Sequence, residues 1–112
     1  MSNPEAAGQK GLDMILHPPA RLQIAAVLAA VSEAEFAKLR EVTGVSDSVL
    51  SKHLAALSEP GYIKVRKAPV NGRQRTWASL TRKGHKAFAG HMAALHRIMS
   101  AAGLSDGTDQ NV

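Results

Sequence analysis

No cysteine occurs anywhere in this chain, which excludes a disulfide framework, a thiolate metal site, a cysteine nucleophile and redox sensing through thiols. Aromatic residues are almost as scarce. Phe36, Tyr62, Trp77 and Phe88 are the whole set, so the core must be built from Leu, Val, Ile, Met and Ala, which suits packed helices better than a sandwich of sheets. Long apolar runs are missing too. The longest, IAAVLAAV at 24–31, falls far short of the roughly 20 residues that span a bilayer. The amino terminus MSNPEAAGQKG shows no basic segment followed by an apolar one, so a soluble, cytoplasmic protein is expected. Acids, finally, are absent between residues 60 and 105. That block holds Lys64, Arg66, Lys67, Arg73, Arg75, Arg82, Lys83, Lys86 and Arg97, whereas the rest of the chain is net acidic although the total is +5. A one-signed block folded onto one side of a domain is an electrostatic footprint for a polyanion.

A chain of 112 residues accommodates one core. Residues 1–11 and 102–112 are rich in small polar residues without apolar period and read as mobile tails, leaving a domain over 12–101. A short helical turn over Leu12 to Leu16 precedes a helix that starts at Pro18 or Pro19, where proline's missing N–H is harmless. It runs to about Val31, with Leu22, Ala25, Leu28 and Val31 inward. Ser32 followed by Glu35 has the spacing of a capping box and predicts a second helix at once, with Phe36 and Leu39 inward and Thr43 and Gly44 at its end. Ser46 caps a third helix, on which Leu50, Leu54 and Leu57 share one face.

Ser58 to Gly61, SEPG, ends that helix, and the period changes from helix to strand. YIKVRK at 62–67 and RTWASL at 75–80 alternate as strands, and Asn71 and Gly72 between them are a strong hairpin-turn signal. Thr81 caps a last helix over 81–101, whose apolar residues cover a face wider than docking on the domain needs. The expected fold is thus α+β, mainly α: three helices, a two-stranded wing and a terminal helix, the pattern of a winged helix-turn-helix.

Specific stretches carry a family resemblance. LSKHLAALSEPGYIKVRK at 50–67 and RQRTWASLTRKGHKAF at 73–88, with GY, a basic valine-containing strand, RT and LTxxG in that order, resemble the bacterial winged-helix transcriptional regulators of the MarR and ArsR families. The similarity spans about residues 14–99. It implies a homodimeric DNA-binding regulator whose third helix enters the major groove.

The residues support that implication separately. Opposite the three leucines of the third helix lie Ser48, Lys52 and Ala55, flanked by Val49 and Ser51, side chains small enough to let a helix approach base edges. Ser48 and Ser51 suit base edges or phosphates, Val49 a thymine methyl, and Lys52 a guanine or a phosphate. Asp47 has two readings, an acceptor for a cytosine amino group or an acid favoured by the helix dipole. His53 lies beside the buried stripe and is expected to pack against the second helix. In the wing, Arg73 beside Asn71 and Gly72 is the candidate for the minor groove, with Lys67 and Arg75 on phosphates. Trp77 is expected to pack the wing on the body, and Phe88, Met92, Leu95, Ile98 and Met99 to form a dimer seam.

His85, His91 and His96 on the last helix are spaced by six and five, which does not stack metal ligands on one face, so no metal and no cofactor is expected. No paired carboxylates, phosphate loop or nucleophile-and-base grouping points to an enzyme. The function expected is a transcriptional regulator, repressing from a palindromic operator in double-stranded DNA. The other class open is a winged helix that docks a protein or coats DNA without sequence preference. An effector, if the protein has one, would have to sit between the helices and the dimer seam, and the sequence names none.

Overall fold

The computed structural model describes residues 11–104, so most of both expected tails lies outside the described residues. Leu16 donates its amide to Asp13 in a tight turn at the head of the domain and is fully buried. The first long helix, α1, spans Pro19–Ala30 with Pro18 at its cap. It buries Ile24, Ala25 and Leu28, whereas Leu22 is only half-buried. Val31, expected inward, is 45% exposed because the helix ends one residue earlier and the extended backbone turns it outward.

The capping box does not form. Ala34–Glu35 is a short strand, β1, and α2 covers only Phe36–Thr43, so the helix begins four residues after Ser32. Ala34 pairs with Ala78 and Glu35 with Trp77, adding a third strand that the sequence reading lacks. The Glu35 carboxylate takes the Arg75 guanidinium at 2.6 Å instead of turning back to a backbone amide. With both partners ionised, the pair to Arg75 outweighs a bond to a neutral backbone amide. At the other end, Gly44 adopts φ +71° and donates to the Arg40 carbonyl, closing α2 as the sequence suggests.

Three residues then lead to α3, Asp47–Ser58, where the Ser46 hydroxyl accepts from the Val49 amide at 3.3 Å. Leu50, Leu54 and Leu57 are its buried face. The hairpin consists of β2, Ile63–Val70, and β3, Arg73–Leu80, paired from Ile63 with Leu80 out to Val70 with Arg73. Asn71 and Gly72 both have positive φ, 52° and 77°, the geometry of a two-residue type I′ turn. Such a turn needs paired strands right up to its ends, which is why both strands outrun their sequence patterns. The sheet order is β1-β3-β2, so Pro69 sits on an edge strand, where its missing donor is tolerated.

The last helix, α4, is Arg82–Ala101. The Thr81 hydroxyl accepts from the Gly84 amide at 3.0 Å and donates to the Gly61 carbonyl at 2.6 Å. A Cβ on Gly84 would lie 2.0 Å from the Tyr62 carbonyl oxygen, so only glycine lets α4 approach this closely. The GY and LTxxG stretches are therefore two halves of one contact. At the far end, Gly103 donates to Ser100 and Leu104 to Met99, a closed helix terminus.

One core holds these elements together. Leu16, Ile24, Leu28, Leu39, Leu50 and Leu57 are fully buried at its centre, with Phe36 and Phe88 against its margin. Each such side chain contributes about 1.5–3 kcal/mol of burial. Among the described residues no helix is long and apolar enough to cross a membrane.

Candidate nucleic-acid interface

With its leucines committed to the core, α3 leaves Ser48, Val49, Ser51, Lys52 and Ala55 exposed, as the sequence pattern requires. Beside it, an open cleft of about 610 Å³ separates α2 and α3 from β3, bordered by Arg40, Asp47, Ser51, Arg73 and Arg75. A second hollow of about 260 Å³ continues it, with Ser51 and Ala55 on one wall and Lys67 and Thr76 on the other. The small-residue face of α3 and the basic residues of the hairpin thus border the same depression. Lys67 and Arg73 are exposed at its border, and Lys52 on α3 and Asn71 at the hairpin turn are exposed as well.

The expected residues are not equivalent within this site. Arg75, expected on phosphates, borders the cleft half-buried and paired with Glu35, whereas Lys67 and Arg73 are exposed. Asp47 has a partner that neither sequence reading names: its carboxylate accepts from the Arg40 guanidinium at 2.8 Å, tying the end of α2 to the start of α3. Both side chains are substantially exposed, so the pair orients more than it stabilises. Asp47 draws the Arg40 guanidinium pKa upward, through the hydrogen bond first and charge second. Arg40 is a cleft cation that sequence reasoning missed. Its only signal is a cation in the last turn of the helix preceding α3.

His53 is half-buried, and its pKa is lowered by burial first and by the charge of Arg21 second. Arg21 belongs to α1, so a cation of the first helix acts on this imidazole. Trp77 packs within the sheet, with the Arg66 guanidinium 4.3 Å above its ring. Arg66 also donates to Glu33 at 2.7 Å. Two of the acids before residue 60, Glu33 and Glu35, therefore fold back onto the basic block and engage two of its cations, Arg66 and Arg75.

On α4, the apolar residues divide between two faces. Gly84, His91 and Ala94 are buried against the domain, and Phe88 packs on the core margin rather than standing free. Met92 and Met99 are 42% and 41% exposed, with Leu95 half-buried between them, and this stripe has no cover among the described residues. Of the three histidines on α4, His91 points inward while His85 and His96 are exposed, so they do not converge. Among the described residues no group of three or more His, Asp or Glu is placed to hold a metal.

Known proteins match this arrangement. A family model described as a winged helix DNA-binding domain matches residues 20–99. An uncharacterized protein of Methanocaldococcus jannaschii is 32% identical over 78 residues, covering 70% of this chain and 85% of that protein. Among solved structures, a transcriptional regulator homologue from Pyrococcus horikoshii superposes with a TM-score of 0.78 at 24% identity, over 89% of this chain and 97% of that one. A MarR family transcriptional regulator from Streptomyces coelicolor, solved in complex with DNA, gives a TM-score of 0.61 at 22% identity, over 96% and 77%.

Proposed function

Because this chain belongs to the family of winged helix DNA-binding domains, with the fold of transcriptional regulators, we propose that it is a sequence-specific regulator that represses by occupying a palindromic operator as a homodimer. The observation that carries this reading is a pair of adjoining hollows in which Ser51 and Ala55 of α3 meet the outward cations Arg73 and Lys67 of the hairpin. In this reading α3 lies in the major groove. Ser48, Val49, Ser51 and Lys52 face base edges, and Asp47, oriented by Arg40, keeps its second oxygen for a cytosine amino group. Arg73 at the turn reaches the minor groove, and Lys67 contacts the backbone. The uncovered Met92, Leu95 and Met99 stripe of α4 meets its symmetry mate. The Streptomyces protein, crystallised with DNA on the same fold, supports the class of ligand.

The test is selection of bound sequences from a random duplex library, followed by competition between the selected duplex and a scrambled one at moderate salt. A regulator binds its own site at least about a thousandfold more tightly than non-specific DNA. A ratio near one would assign the protein to non-specific coating of DNA instead.

A further inference from the structure

His91 is the one fully buried polar side chain among the described residues, and DNA binding as proposed makes no use of it. It lies under the segment that leads into the domain. Gly11 rests against Ala94 and the Arg97 guanidinium on one flank of α4, and Leu16 is anchored in the core. Between them, the Asp13 amide donates to His91 Nδ1 at 2.9 Å. A neutral imidazole that accepts at Nδ1 carries its proton on Nε2. That Nε2 is buried with no hydrogen-bond partner, and the ring of His17 stands edge-on at 5.6 Å. Asp13 is held at a second point: its carboxylate accepts from the Ile15 amide at 2.8 Å and from the Tyr62 hydroxyl, which enters from the turn before β2. Asp13 therefore fastens the segment to two groups, and one of these two fastenings works only while His91 is neutral.

We propose that residues 11–15 form a proton-controlled strap across α4, latched by the Asp13–His91 hydrogen bond and hinged at Leu16. A second proton on the imidazole must go to Nδ1, the atom that accepts from Asp13. It turns that acceptor into a donor facing an amide N–H and leaves a buried cation with two unpaired donors. The surroundings disfavour that cation. Burial first and the charge of His17 second hold His91 below its ordinary 6.5, against the opposing pull of the Asp13 carboxylate. Tyr62, protonated and itself raised to about 12 chiefly by its hydrogen bond to Asp13, keeps that carboxylate turned toward it. The permanent cations against the strap offer no acceptor: Arg21 of α1 donates to the Ile15 carbonyl at 3.2 Å, and Arg97 of α4 borders Gly11. A lowered folded value means that the latch is complete above 6.5 and is lost as pH falls through the value in the folded protein. Opening uncovers the Ala94 flank of α4, on the side away from Met92 and Met99.

Proton NMR of the full chain can follow the His91 ring and the Asp13 amide together between about pH 7.5 and pH 5. Both should titrate with one midpoint, and protection of the Asp13 amide, corrected for intrinsic exchange, should drop about tenfold or more. His91→Asn, whose Oδ1 stands in for Nδ1 but takes no proton, should keep that amide protected throughout. His17→Ala should raise the midpoint. If the wild-type Asp13 amide stays protected while His91 titrates, the latch does not exist, and loss of protection by His91→Asn over the same range overturns it equally. The comparison of the two wild-type signals decides the matter even where a variant fails to fold.

Discussion

Gly84 shows how much of this structure rests on single atoms. It stands in the third position of α4, where alanine would ordinarily strengthen a helix by up to about 1 kcal/mol. Here the added carbon would overlap the Tyr62 carbonyl oxygen, a backbone atom that cannot swing aside. Gly84→Ala is therefore expected to destabilise the protein by about 1–3 kcal/mol or more, read as a lowered midpoint in denaturant unfolding. The sequence displays the glycine and the threonine before it but not the reason for either, because Tyr62 is 22 positions away in the chain and meets Gly84 only once the hairpin has folded. The same holds for His91. Its neighbours on α4 mark it as one more residue of an amphipathic helix, and nothing local announces that it is buried or that Asp13, 78 positions earlier, donates to it.

At the scale of elements, boundaries set by backbone chemistry were legible in advance. Pro19 opens α1, Gly44 closes α2, Ser46 and Thr81 cap α3 and α4, and Asn71 with Gly72 turns the hairpin. The short strand β1 was not. Ser32 to Glu35 has the local chemistry of a helix start, and only the open edge of β3 draws Ala34 and Glu35 into extended form. That strand also changes the wing, because it brings Glu35 to Arg75. A contrast between two arginines follows. Arg73→Ala should weaken DNA binding and lower the slope of log affinity against log salt by about one, whereas Arg75→Ala should leave the slope unchanged. Equal losses of slope for the two variants would mean that Arg75 leaves Glu35 for a phosphate when DNA binds.

For the whole molecule, the charge block read from the sequence is tempered by folding. Glu33 and Glu35 return to Arg66 and Arg75, so these two of the nine cations between residues 60 and 105 are paired with acids, whereas Lys64, Lys67, Arg73, Arg82, Lys83 and Lys86 are exposed. Ion pairs between residues 33 and 40 positions apart leave no pattern in a linear sequence. The proposed homodimer is tested at the other large feature, the stripe of Met92, Leu95 and Met99 on α4. Leu95→Glu places a charge between Met92 and Met99, and sedimentation should then show monomers that keep their helical circular dichroism but no longer bind a two-half-site duplex tightly. A Leu95→Glu protein that remains dimeric would place the seam elsewhere.

The stack of Arg66 on Trp77 gives the protein an optical property of its own. Trp77 is the single tryptophan, so all indole emission comes from the central strand of the sheet, beneath a guanidinium that Glu33 holds in place. Any event that pulls Arg66 away, such as a phosphate competing with Glu33 or a bend of the wing, changes the field over that one ring. Intrinsic fluorescence can therefore report the state of the wing in solution with no label attached.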